Sequence, residues 1–210
     1  MIGATLRNQG PKYWKDILDL MRHADLESIQ AQFPNYPYPN LFRTIQVSVD
    51  QLDAKSRDRY FALAVFLEDM TAEIPVLQTL WNASEPESLR TAKLLVSRSL
   101  ATRVRDAGAI ELHNLQLDYV RAQYPDPEAL DLIHGAVRLS AHVIQRDPRQ
   151  FASQVIGRLL PHQELPHVGL FTAALAEAVP RPWLRPLWPA LHPAGTALRR
   201  ILQPKGNFTT

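Results

Sequence analysis

Apolar residues recur at helical spacing through most of the chain. Trp14, Ile17, Leu18 and Met21 fall at i, i+3, i+4 and i+7 behind Pro11, which suits a first helical turn, and they predict an opening helix. In "QFPNYPYPN", Pro34, Pro37 and Pro39 remove backbone donors and push their predecessors into extended conformations, so this stretch reads as a connector. From Asn40 the pattern becomes dense. Leu41, Ile45, Val49 and Leu52 form one stripe, and Tyr60, Ala64 and Leu67 form a second after a break near Asp53, predicting two helices. "AEIP" reads as a short extended piece, with Pro75 opening a helix through Trp81. Ser84 and Glu87 have the spacing of a capping box around Pro86, for a helix to about Arg98.

The period then changes. "LATRVRDAGAIELH" alternates in two short runs around Asp106 to Gly108, the pattern of a β-hairpin turning at the aspartate and glycine. After "NLQLDYV", a helix expected to be capped by Asn114, Asp126 and Pro127 start a long amphipathic helix. Its inner face carries Ala129, Leu132, Ile133, Ala136, Val137, Ser140, Val143 and Ile144. Asp147 and Pro148 begin another helix through about Leu160, and a third spans roughly Glu164 to Val179. "PRPWLRPLWPALHPAG" cannot be regular helix, because proline recurs every few residues. It predicts a linker, or a strap laid over a surface by Trp183 and Trp188.

Composition narrows the chemistry. The 210 residues can bury a substantial core, and 17 prolines against 8 glycines favour helices with hard stops over a sheet-dominated fold. The absence of cysteine excludes disulfides, zinc–cysteine sites and thiol catalysis. No apolar run approaches the roughly 20 residues needed to cross a bilayer, and the amino terminus lacks the apolar core of a signal peptide, so no membrane association and a cytoplasmic location are expected. The net charge of +2 is too small to argue for nucleic acid, but Arg181, Arg185, Arg199, Arg200 and Lys205 follow Glu177 with no acid among them, which makes the tail basic.

"LFRTIQVSVDQLDAKSRDRYFALAVFLEDMTAEIPVLQTLW", followed by "VSRSLATRVRDAGAIELHNLQLDYV", resembles the winged-helix part of the NB-ARC module in STAND-type signalling ATPases of the apoptotic protease-activating factor type. "MIGATLRNQGPKYWKDIL" looks like the end of the helical domain that precedes it. "LIHGAVRLSAHVI" and "PRPWLRPLWPALHPAGTALRRIL" look like the helical segment and lead-in that precede a WD-repeat propeller in bacterial members. The resemblance implies a mainly α fold, with a winged helix followed by a small helical bundle and a Pro-rich tail. Residues 1–39 would end a helical domain and form a linker, 40–123 the winged helix, 124–179 a helical segment, and 180–210 a tail leading toward a WD-repeat region. The chain has no G-x-x-x-x-G-K-[ST] phosphate loop and no Trp-Asp blade repeats. It therefore reads as the middle of a longer architecture, or as a reading frame truncated at both ends.

The resemblance also implies a site. The family places Met or Leu, then His, then Asp where the wing enters the next helix, and its histidine approaches the β-phosphate of bound ADP. The matching residues here are Leu112, His113 and Asn114. An imidazole N–H can donate to a phosphate oxygen, and an imidazolium adds Coulomb attraction. Asparagine in place of aspartate can cap the helix but supplies no charge. The bland alternative makes His113 a partly buried residue at the foot of the wing. No cofactor is expected for the chain by itself, and ADP or ATP would enter only with a nucleotide-binding domain.

Other groups offer less. His134 and His142 stand about two turns apart, too far to share a metal ion, and His162 and His167 flank prolines. Glu68 with Asp69, and Asp126 with Glu128, read as helix-end acids. No catalytic arrangement emerges, so the chain is expected not to be an enzyme. The expected role is a non-catalytic regulatory module that relays nucleotide state, with a nucleotide-binding core, a WD-repeat propeller or other STAND subunits as partners. The alternative, a nucleic-acid-binding winged helix, rests on Arg90, Lys93 and Arg98, whose helix begins with Glu85 and Glu87 and so presents a mixed face.

Overall fold

The computed structural model describes residues 39–104, 108–180 and 183–196. The predicted helix at Trp14–Met21, the hairpin tip at Asp106, and Arg181, Arg199, Arg200 and Lys205 lie outside the described residues. Those described form a mainly helical protein with one two-stranded hairpin. In chain order the helices are α1 (Pro39–Asp50), α2 (Ala54–Ala62), α3 (Ile74–Trp81), α4 (Glu85–Ser97), α5 (Asn114–Ala122), α6 (Pro127–Ile144), α7 (Phe151–Leu159) and α8 (Pro166–Ala178). Strands β1 (Thr102–Arg103) and β2 (Ile110–Glu111) lie between α4 and α5.

Local chemistry accounts for most of these boundaries. The Asp53 carboxylate accepts the Ser56 N–H at 2.9 Å and caps α2, and Asp126 caps α6 through the Ala129 N–H at 3.0 Å. Proline opens α3, α4, α6 and α8 within the first two positions, where its missing N–H costs nothing. The stripe predicted through Leu67 ends earlier than expected. After Ala62 the chain tightens into a 3₁₀ turn at Leu63–Val65, Phe66 is extended, and Asp69 takes a left-handed conformation with φ 57°.

The expected capping box at Ser84 does not form. Ser84 occupies the N-cap position but its side chain makes no cap bond. Glu87 turns instead toward α2, where it accepts from Lys55 and from Arg59 Nη2 at 2.8 Å. Two bonds from cationic donors outweigh one from a neutral backbone N–H. They hold the Glu87 carboxyl at about 2, well below its usual range, the bonds from Lys55 and then Arg59 being the largest causes. Arg59 is buried, donates to Thr91 Oγ1 at 2.8 Å, and lies 5.9 Å from the centre of the Trp81 ring.

The hairpin is short. Thr102 pairs with Glu111 and Arg103 with Ile110, antiparallel, and Ala72 adds an isolated bridge to Ile110. Gly108 precedes β2 at φ +83°, a backbone conformation that favours glycine, and a Cβ there would also have to displace the Leu89 side chain, whose Cδ2 would lie at 2.5 Å.

One apolar cluster runs from Phe42 in α1 to Ala194 near the end of the described chain. The rings of Phe66 and Phe151 meet at a tilt with centres 6.3 Å apart, and the His134 ring of α6 bonds to the Ala64 carbonyl at 2.8 Å through Nε2. The buried residues of 40–123 and of 124–179 thus share a core. Beyond α8 the described residues form neither helix nor strand. Trp183 packs against the core as the strap reading requires, but Trp188 is 80% exposed, so the second tryptophan is not an anchor. Leu191 serves instead, seated over Gly157, where a Cβ would approach Leu191 Cδ1 to 2.9 Å. Among the described residues no helix is long and apolar enough to cross a membrane.

Candidate functional site

The strand-to-helix join is built by three consecutive residues with different tasks. Leu112 is buried and pins the end of β2 to the core. His113 is exposed and extended, with φ −66° and ψ 149°, and Asn114, also exposed, opens α5. The N-cap is therefore His113 and not Asn114. The imidazole Nδ1 accepts the Leu115 N–H at 3.3 Å, and the Gln116 side chain returns to the His113 N–H, Oε1 at 2.9 Å. Gln116 decides the shift, because it stands three residues after His113, where a side-chain oxygen reaches back to the cap.

Gln116 also crosses the fold. It is buried, and its Nε2 donates to the Ser99 carbonyl at 2.7 Å. Ser99 is itself left-handed, φ 57°, at the turn that ends α4. One amide thus fixes the histidine's backbone to the end of the preceding helix. The His-x-x-Gln spacing is visible in the sequence, but histidine is uncommon as a cap, and that signal was missed.

The cap constrains the chemistry of His113. A lone pair on Nδ1 must face the Leu115 N–H, so the neutral ring carries its proton on Nε2. No described residue bonds Nε2, which leaves one exposed N–H donor. His113 is exposed, in contrast to the partly buried position of the bland alternative.

A cavity of about 330 Å³ opens beside the join, lined by Asp69, Thr102, Glu111, Leu112, His113 and Asn114. Two carboxylates and no lysine or arginine line it. A phosphate placed there would face like charge, so its counter-charges would have to come from another surface.

Three other histidines hold structure together. Burial keeps His134 below the ordinary imidazole range. His162 Nε2 lies 3.1 Å from the Ala194 carbonyl, and His167 Nδ1 lies 2.9 Å from the Asp126 carboxylate. No group of three or more metal-ligating side chains occurs among the described residues.

Fold and site together define a class: a mainly helical protein whose small hairpin delivers an exposed, capping histidine to the start of a helix. In sequence the chain is similar to Apoptotic protease-activating factor 1. It is 28% identical over 128 residues to the Danio rerio protein, covering 60% of this chain and 10% of the relative. It is 27% identical over 122 residues to the Homo sapiens and Mus musculus proteins, covering 57% of this chain and 10% of each relative. The chain spans about a tenth of the length of these curated relatives. No family model matches it, and no solved structure does.

Proposed function

We propose that the chain is a non-catalytic regulatory module of a STAND-type signalling protein, in which a winged helix and the helices packed on it relay nucleotide state between an ATPase core and a sensor. The partial likeness to Apoptotic protease-activating factor 1 supports the signalling class. The order from Ala54 to Ala122 supports the winged helix: helix, bridging residue Ala72, two helices, two strands, helix. The observation that carries the relay role is the exposed Nε2 of His113 at a join tied through Gln116 to the end of α4. A phosphate contact made at Nε2 would act on a rigid corner of the fold and could bias domain position, as coupling between sites requires.

Since the adjoining cavity lacks cations, the chain alone is expected to bind ADP weakly and to hydrolyse nothing. The test is calorimetry with ADP on the isolated chain, followed by binding to an NB-ARC-type nucleotide-binding core supplied separately with ADP or ATP. The expected result is no tight ADP binding to the chain alone, and a preference for the ADP-loaded core of about 5- to 150-fold that His113→Ala abolishes. Tight ADP binding by the isolated chain, or nucleotide preference unchanged in His113→Ala, refutes the proposal.

A further inference from the structure

Three of the five exposed large apolar side chains among the described residues fall within five consecutive positions: Leu184 at 91%, Leu187 at 73% and Trp188 at 80% exposure. They stand on a segment that is fastened on both sides. Trp183 packs against the core before them. After them, the Arg158 guanidinium donates to the His192 carbonyl at 2.9 Å, the Ala194 N–H donates to the Arg158 carbonyl at 3.1 Å, and Ala194 is fully buried. Pro186 and Leu191 both seat over Gly157. A free tail could fold these side chains onto itself, whereas this one is held so that they face outward. The fold has already supplied much of the ordering that a partner would otherwise have to impose.

Charge indicates the kind of partner. The sequence from 178 to 210 contains Arg181, Arg185, Arg199, Arg200 and Lys205 and no aspartate or glutamate. Arg185 lies exposed between Leu184 and Pro186. An apolar segment with exposed Arg185 in its midst, in a stretch of sequence that carries positive charge and no acid, is matched by an apolar groove with a carboxylate rim.

A lipid surface fits less well. Pro186 and Pro189 prevent the segment from forming an amphipathic helix, and irregular backbone pushed into hydrocarbon would leave its polar groups unsatisfied. A protein groove can satisfy those groups.

We propose that residues 184–188 are a preformed docking element that presents Leu184, Leu187 and Trp188 to an acidic-rimmed apolar groove on a partner protein. This surface is separate from the His113 site and does not depend on the relay reading.

The test is selection of a displayed random-peptide library against the full chain, with the Leu187→Ser/Trp188→Ser variant as counter-selector. Circular dichroism should show the variant folded, because both side chains are exposed. The expected peptides combine apolar positions with Asp or Glu and weaken as salt rises. They should bind Trp188→Ser about tenfold or more weakly, and Arg185→Glu should also weaken them. Failure to recover any peptide that the variant discriminates overturns the proposal, as do selected peptides without acidic residues or indifference to Arg185→Glu. Trp188-dependent binding to phosphatidylcholine vesicles containing phosphatidylserine overturns it in favour of lipid. Trp188-dependent self-association in sedimentation overturns it in favour of a second copy.

Discussion

Gln116 offers the most direct check on the candidate site, because one buried amide serves both as partner of the histidine cap and as tie to the preceding helix. Gln116→Ala removes the acceptor of the His113 N–H at 2.9 Å and the donor to the Ser99 carbonyl at 2.7 Å. Each lost bond costs about 0.5–1.5 kcal/mol, and a partner left buried without water adds about 1–3 kcal/mol. His113 is exposed, so water can replace its bond, whereas Ser99 is half-buried and regains less. The expected loss is therefore about 2–4 kcal/mol, read by urea unfolding with circular dichroism, and each kcal/mol should lower Tm by about 2–4 °C in a chain of this size.

Gln116→Glu separates the two bonds. It keeps an acceptor for His113 but, above the carboxyl's folded pKa, sets a buried charge against the Ser99 carbonyl. Burial raises the folded pKa of such a carboxyl. The penalty should therefore be present at neutral pH and shrink as pH falls through the folded pKa, where the protonated acid can donate to Ser99. A Gln116→Ala variant within about 0.5 kcal/mol of wild type, or a Gln116→Glu variant with no pH-dependent recovery, would refute the tie.

Other substitutions probe the rest of the fold. Glu87 is held at about 2 by Lys55 and Arg59, so its contribution to stability is complete above the unfolded value near 4.5 and declines as pH falls toward about 2. Glu87→Gln should flatten that acid limb of the midpoint-versus-pH curve and leave its slope above pH 6 unchanged. Phe151 is fully buried against Phe66, and Phe151→Ala should cost about 3–5 kcal/mol while the chain still unfolds in a single transition. Two separated transitions would mean that 40–123 and 124–179 do not share their core. Gly157→Ala adds a Cβ 2.9 Å from Leu191 Cδ1, so limited proteolysis should cut the strap faster while the helical signal persists. Unchanged cleavage would show that Leu191 yields without releasing the strap.

Cleavage mapping of the strap would also bear on the docking element, since its exposed side chains are useful only while both ends stay fastened. The anchor that matters there is Arg158, buried and bonded to Ser140 Oγ at 2.9 Å and to the His192 carbonyl. Nothing in the neighbourhood of Arg158 in the sequence points to residue 192. A helix surface with a glycine at 157 and an arginine at 158 reads equally well as solvated.

Where most helices begin, and which faces they bury, follows from residues close together in the chain. Proline, aspartate and the 3.6-residue period act through bonds and contacts only a few residues apart. Thus α6 begins after Asp126 and buries Ala129, Ile133, Ala136, Val137, Ser140 and Ile144 of its predicted face, with Leu132 and Val143 half-buried at the edge and Leu130 buried in addition. The hairpin was legible for the same reason: alternation and Gly108 are local signals. Tertiary structure alone decided the choices between competing partners. Glu87 left its own helix end because Lys55 and Arg59, 32 and 28 residues away, offered stronger charged bonds. The His113–Gln116 spacing was local, but the bond that holds the Gln116 amide in place for that cap is made to Ser99, 17 residues away. Of two tryptophans in a proline-rich strap, Trp183 found the core and Trp188 did not. Each outcome depends on which group arrives nearby when the chain closes, and local spacing does not carry that information.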